Sequence, residues 1–408
     1  MGIWTHHLKS ISFVNYTSQQ YSGPAIKMGA GVQAWEAYEA ASANGVRVVG
    51  GTCPTVGLAG GYTQGGGHST LSSLYGLGAD QALEWEVVTA DGQYLVATPT
   101  QYSDLYWALS GGGGGTYAVV LSLTAKAHRD GVVGGASISF SSQGISQATY
   151  WDAIGYWLPL VTKLSDAGGA SSVFTITSEA FNLGPYTSDG KSVAEVKAEL
   201  KPFVVELDKR NMTYSYNVTS LPGFLQHFTT YLGPLPYGQY GTGEILGSRL
   251  IPQSLVASDN AALTSALRNI TDAGFLIDGL TQTPTHAAAS NTAASNAVLP
   301  AWRVSAAHIV VSIAWNYTAP WASNVAREDE ITHVIVPQLE DITPDSGTYL
   351  NEGDFQLVTW KRDFYGSNYD RLRAVKTAYD GHDLFYATTA VGSDAWIVAE
   401  DGRLCRAA

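Results

Sequence analysis

The sequence predicts an α+β chain of two domains, on three observations. Its 408 residues are enough for two hydrophobic cores. Up to about residue 130, β-branched runs alternate with helix-forming stretches. From Gly131 onward, serine- and threonine-rich segments alternate apolar with polar residues, which is the pattern of an antiparallel sheet with one wet face.

Taken in order, Ala25–Met28 reads as a short strand before a glycine turn. Gln33–Asn44 is rich in helix formers, and Gly45 stands where a helix would end. Val46–Val49 is β-branched and reads as a strand. Ala82–Thr98 reads as a hairpin closed by Asp91-Gly92. Tyr102–Leu109 is a short amphipathic helix, and the segment from Thr116 to His128 is another strand. Four strands follow in GASISFSS, SSVFTITSEAF, NMTYSYNVTS and AAHIVVSIAWNYT. Ser192–Arg210, Ala261–Ile270 and Trp321–Asp341 read as helices. Residues 279–300, small and polar, read as a surface excursion. Ser367–Tyr379 reads as a helix capped by Ser367, with Leu372, Val375 and Tyr379 on one face.

Composition narrows the function. The formal net charge of −13 repels phosphate backbones, so no nucleic-acid partner is expected. No run of about 18 apolar residues appears, so no membrane span is expected. The N-terminus lacks the apolar core of a signal peptide. Five Asn-x-Ser/Thr sequons, at Asn15, Asn211, Asn217, Asn269 and Asn316, nonetheless point to a secreted glycoprotein. The two cysteines, Cys53 and Cys405, could pair with each other or stay free. Without a CxxC or CxxH cluster they make no zinc site, and no metal is predicted.

The most unusual stretch is GGTCPTVGLAGGYTQGGGHS, from Gly50 to Ser69, which sets a rare thiol in bare backbone. Glycine lets backbone N–H groups approach a flat or anionic ligand closely. Neither a dinucleotide fingerprint nor a P-loop is present, which argues against an NAD-dependent dehydrogenase. Cys53 reads as a small buried hydrophobe, the commoner role of a lone cysteine, or as a nucleophile or covalent tether, and composition does not choose between them. His68 reads as a proton relay or as a buried histidine satisfied by backbone. Tyr75 reads as packing.

Recognition goes further. The run CPTVGLAGGYTQGGGHS-x-x-S-x-x-YGLGADQ resembles the FAD-linked oxidases of the berberine bridge enzyme-like group, in the vanillyl-alcohol oxidase superfamily. Its nearest likeness is to the secreted fungal members. The resemblance continues through LEWEVVTADG and YWALSGGGGGTYAVV, and returns in YLNEGD, FYGSNYDRL and DLFY. It implies a two-domain PCMH-type FAD-binding fold: residues 1–132 and 346–408 form the cofactor domain, and 133–345 an antiparallel-sheet substrate domain. The cofactor implied is FAD, bonded through Cys53, with Pro54, Thr55, Val56, Gly57, Gly60, Gly61, Gln64, Gly65, Gly66, Gly67 and His68 around it. Gly112–Gly115 would approach its adenine or phosphates.

In relatives a tyrosine of a Y-x-N motif takes the substrate proton, and Tyr349 matches it. Glu352 and Asp354 are candidate partners for Tyr349, or surface carboxylates. Asn368 matches a position near the flavin. Phe174, Phe181, Tyr214, Tyr231 and Trp315 are candidates for a substrate pocket.

The R-x-x-G-H motif that carries the family's second tether does not precede Cys53. His6 and His7, in WTHH, match a later strand of the family. The family's N-terminal part is expected to lie outside this chain. The implied activity is oxidation of a small organic molecule (an alcohol, sugar or secondary metabolite) by a monomer, with O2 as acceptor and H2O2 released. The alternative is a flavin-free secreted remnant.

Overall fold

The computed structural model describes residues 2–238, 243–399 and 401–407. It opens on a hairpin of β1 (Ile11–Thr17) and β2 (Ser22–Gly29). Helix α1 (Ala34–Ala43) follows. It starts where Glu36 accepts from the Gln33 amide at 2.8 Å, and it ends at Gly45, whose φ of +68° suits glycine. The hairpin β3 (Ala82–Val88) and β4 (Tyr94–Ala97) turns through Gly92 at φ +84°. Helix α2 (Ser103–Leu109) leads to β5 (Val119–Lys126). The five strands pair antiparallel in the order β1-β2-β5-β3-β4.

A seven-stranded sheet comes next, built of β6 (Val133–Ser141), β7 (Ser171–Ile176), β8 (Ala180–Asp189), β9 (Tyr214–Leu221), β10 (Glu244–Pro252), β11 (Leu276–Thr281) and β12 (Ser305–Ala314). Its order is β9-β6-β8-β7-β11-β12-β10, and every pairing is antiparallel. Helices α3 (Gln147–Gly168), α4 (Val193–Lys209) and α5 (Asn260–Asp272) share a core with this sheet, joining Trp157, Leu200 and Leu267 to Phe174, Ile277 and Ile309. Because successive strand residues face opposite ways, Ile309 packs into that core while His308 looks toward the first domain.

The chain passes through α6 (Trp321–Glu330) and returns to the first core. Leu357, Phe364 and Tyr365 join it, as do Leu372 and Val375 of α7 (Tyr369–Tyr379). A third, small cluster of Leu77, Ala79, Leu250, Val298, Leu299, Trp302 and Tyr349 closes the junction between the two cores. Among the described residues no helix is long and apolar enough to cross a membrane.

Several elements differ from expectation. The β-branched run at 46 forms a strand only at Val46–Arg47, paired with His128 and Arg129. SSVFTITSEAF is not one strand but the bend from β7 into β8. The helical segment after Trp321 loosens into a wider turn at Ile331–Ile335 before its last turn. α7 is preceded by Asn368, not Ser367, because Gly366–Asn368 forms a tighter turn of its own.

The 279–300 segment is not a surface excursion. Thr281, Gln282, Ala289, Ala297 and Leu299 are buried, because the segment runs between the two domains. Phe174 and Phe181 are core, Tyr231 bonds Thr219, Tyr214 bonds Asp208, and Trp315 packs edge-on against Trp321. None of these contacts places them at the site described next. Cys53 and Cys405 are both free. His6 and His7 sit in a turn and not in a strand, His6 stacked on Trp4 and His7 edge-on to it.

Candidate active site

Two glycine runs meet through one residue. The amides of Gly111 and Gly113 both donate to the Gln64 carbonyl, at 3.0 and 2.8 Å. The Gln64 side chain donates in turn to the Ala59 carbonyl at 3.0 Å. The runs lie so close that a Cβ on Gly114 would stand 2.9 Å from the Gly61 Cα. Beside them opens a cleft of about 770 Å³, lined by Gly60, Gly61, Gln64, Gly113–Gly115, Asn351 and residues 384–390.

A Cβ on Gly60 or Gly115 would meet nothing within 4 Å, so this backbone faces open space. The Gln64 Oε1 is buried without a partner. A wall of exposed backbone, of a size suited to a cofactor, fits a flat, partly anionic group such as FAD.

Cys53, Pro54, Thr55, Val56 and Gly57 do not line that cleft. They are tied to the start of α1, where Ala34 N donates to Val56 O and Trp35 N to Pro54 O. Cys53 is half-buried, its Sγ 3.5 Å from the Thr55 hydroxyl. Asn368 also lies elsewhere, donating at 3.1 Å to the carbonyls of Ala297 and Val298.

The remaining expected residues converge. Gly66 and Gly67, at φ +123° and +77°, turn the chain so that His68 faces the second domain. His68 Nε2 lies 3.0 and 3.1 Å from the two Glu352 oxygens, and His308 Nδ1 lies 3.3 Å from Glu352 Oε2. Tyr349 sets its ring edge against His68, His308 and Trp302, at centroid distances of 5.2, 5.7 and 5.4 Å. Its phenol oxygen accepts from Asn351 Nδ2 at 2.6 Å. The same amide donates to Gly61 O at 2.8 Å, which ties Tyr349 to the cleft wall.

Charge is uneven here. Burial, and then the Glu352 charge, push the Tyr349 hydroxyl well above its usual range. Burial would also raise Glu352, but the adjacent His68 and His308 outweigh it and hold the carboxyl down at about 2. Burial lowers His308 to about 3, against the pull of Glu352. Burial, with Glu244 and Glu352, raises Asp278 on β11 to about 6. Asp354 is not part of the cluster. It is buried, with one oxygen accepting from Gln356 N.

The berberine and berberine-like family model matches residues 348–392, the stretch holding Tyr349, Asn351 and Glu352. An FAD-binding domain model matches residues 10–98, which hold the first glycine run. The FAD-linked oxidoreductase ZEB1 of Gibberella zeae is 42% identical over 409 residues, covering 100% of this chain and 71% of that protein. The VAO-type flavoprotein oxidase VAO615 of Thermothelomyces thermophilus is 44% identical, over 100% of this chain and 71% of its own.

The chain belongs to the berberine bridge enzyme-like FAD-linked oxidoreductases. The crystal structure of the VAO-type flavoprotein MtVAO615 from Myceliophthora thermophila superposes with a TM-score of 0.93, at 44% identity. It covers 99% of this chain and 74% of that one. Glucooligosaccharide oxidase from Acremonium strictum, known for its 6-S-cysteinyl, 8α-N1-histidyl FAD, shares the fold at a TM-score of 0.73. Its identity is 19%, over 95% of this chain and 81% of that one.

In this oxidoreductase three residues at the junction carried no signal in sequence. His308 and Trp302 sit in segments that read as strand and loop. Arg303 pairs with the buried Asp80 through two bonds of 2.8 Å. Asp80 also accepts from Asn291, Asn296 and the Leu77 amide, so one carboxylate clamps the segment after His68 to the segment before His308. Only proximity in the fold reveals that role.

Proposed function

We propose that this protein oxidises a small organic molecule carrying an oxidisable C–H next to a hydroxyl, with O2 as acceptor and H2O2 released. The observation that carries the reading is the convergence of Tyr349, Asn351, His68, Glu352 and His308 beside the glycine-walled cleft. Bound FAD would supply the hydride acceptor. Gly60, Gly61, Gln64 and Gly113–Gly115 would hold it. Cys53, outside the cleft's lining, is proposed as the covalent tether on the strength of the 6-S-cysteinyl linkage of glucooligosaccharide oxidase.

Tyr349 takes the hydroxyl proton. Alone it is a poor base, because burial and Glu352 hold its own proton on. Two neighbours offset this. Asn351 donates to the phenol oxygen and so favours the phenolate. His68 Nε2 lies within hydrogen-bonding distance of both Glu352 oxygens, which draws off part of the negative charge that opposes phenolate formation. Against burial, the two imidazoles beside it keep Glu352 ionised. Secretion is part of the reading, since all five sequon asparagines are exposed.

The test is H2O2 release from a panel of sugars, benzylic alcohols and polyols. Tyr349→Phe should keep the flavin spectrum and lose about 10²–10⁴-fold in kcat/KM on any substrate found. Full activity in Tyr349→Phe would remove it from the mechanism.

A further inference from the structure

We propose that His68, Glu352 and His308 also form a binding site for a divalent transition-metal ion of the zinc class. The binding stands on geometry alone.

Three ligand atoms of the right kinds face one point. His68 Nε2, His308 Nδ1 and a Glu352 oxygen all lie within 4.8 Å of one another. A tetrahedral ion with bonds of about 2.0–2.1 Å separates neighbouring ligand atoms by about 3.3 Å. Measured to the same oxygen, Glu352 Oε2, the His68 and His308 separations are 3.1 and 3.3 Å and already meet that spacing. Only the third side, between the two imidazoles, has to close.

Each ligand stands on a differently anchored segment. His68 follows the left-handed pair Gly66-Gly67, and His308 lies inside β12, paired to β10 and β11 on either side. Glu352 is three residues past Tyr349, and its amide donates to the Tyr349 carbonyl. The site is therefore organised before any ion arrives. Two imidazoles and a carboxylate suit zinc, copper, nickel or iron, and do not suit magnesium or calcium. Three protein ligands leave a fourth position for water or a substrate oxygen.

The outer nitrogens, His68 Nδ1 and His308 Nε2, are buried without hydrogen-bond partners. A ring proton moved to either outer nitrogen stays unpaired, a cost that the metal bonds have to outweigh.

The experiment is calorimetric titration of Zn2+ into the flavin-loaded full chain. Three variants are run beside it: His308→Asn, Glu352→Gln, and a double His6→Ala/His7→Ala that removes the exposed histidine pair near the N-terminus. Circular dichroism and the flavin spectrum confirm that each variant is folded. Glu352→Gln, the near-isosteric change, decides the matter if His308→Asn does not fold.

The expected result is one Zn2+ per chain, weakened at least about 100-fold by loss of a ligand and unchanged in the double variant. That loss exceeds the 10–100-fold typical of an outer partner. Binding that survives Glu352→Gln, or that vanishes with His6 and His7, overturns the proposal. If Zn2+ does not bind but Glu352→Gln still slows oxidation, the metal site falls and the acid–base reading stands. If Zn2+ binds as expected but Glu352→Gln oxidises at the normal rate, the acid–base reading falls and the metal site stands.

Discussion

At the scale of single residues, the site depends on backbone that has no room for a side chain. A Cβ on Gly65 would stand 2.4 Å from Asn351 Nδ2. That amide is held by both Gly61 O and the Tyr349 phenol, so it cannot give way without breaking both bonds. Gly65→Ala should therefore cost about 1–3 kcal/mol in stability. It should also lower kcat more than KM, read by steady-state kinetics beside a thermal melt. An unchanged kcat would mean that Asn351 does not support Tyr349.

Tyr349 and His68 were legible in the sequence because each sits in a motif of its own. Glu352 was legible only as one of two carboxylates; its neighbours His68 and His308 separate it from Asp354, which accepts from Gln356 N instead. His308 was not legible. A histidine in an alternating strand looks the same whether it faces solvent, core or a neighbouring domain.

At the scale of elements, what joins the two domains is polar as well as apolar. Asp80 and Arg303 are both buried, and burial alone would raise the Asp80 carboxyl. Arg303 outweighs it and holds the carboxyl low. Asp80→Asn leaves that guanidinium buried without its charge partner, which should cost about 3–5 kcal/mol. The melting temperature should drop by several degrees, while the double change Asp80→Asn/Arg303→Gln should recover part of it. A single variant as stable as the parent would show that the clamp does not hold the junction.

Strands and helices with regular patterns were largely legible: α1, the β3–β4 hairpin, α4 and α5 fall where their residues place them. α3 was not, because Gly155 and Pro159 interrupt it. Burial of Trp151, Ile154, Trp157 and Val161 overrides that local signal. Gly155 has its own use: Asn260 at the start of α5 bonds its carbonyl at 2.6 Å, and a Cβ there would press on Thr264 at 3.1 Å. The 279–300 segment misled for the opposite reason. Its small polar residues suit a buried junction as well as a surface loop.

At the scale of the whole molecule, stability depends on histidines kept neutral. Burial lowers His128 to about 4, and it lowers His227 and His308 to about 3. Unfolded, each titrates near 6.5, so between those values the unfolded chain binds protons that the folded chain refuses. The stability they contribute is complete above about pH 6.5 and is lost as pH falls toward 4 and then 3. Asp80 and Glu352, held low in the folded chain, add to the loss only below about pH 4.3. Melting temperature should therefore fall steadily from pH 6.5 to 4, and His227→Gln should flatten part of that slope. A flat profile over this range would contradict the assignment.

The two-domain plan was legible because the texture of the chain changes at Gly131, and family resemblance supplied the cofactor. The mutual placement of the two glycine runs was not legible, since 47 residues separate Gln64 from Gly111 and a carbonyl carries no sequence signal. The claim that this cleft holds FAD is tested most directly by the visible spectrum of the purified protein, taken before and after acid precipitation, with Cys53→Ala alongside. The prediction is flavin bands that stay with the precipitate and leave it in Cys53→Ala. Colour that goes to the supernatant in the parent chain would remove Cys53 as the tether, and a colourless protein would contradict the cleft's role altogether.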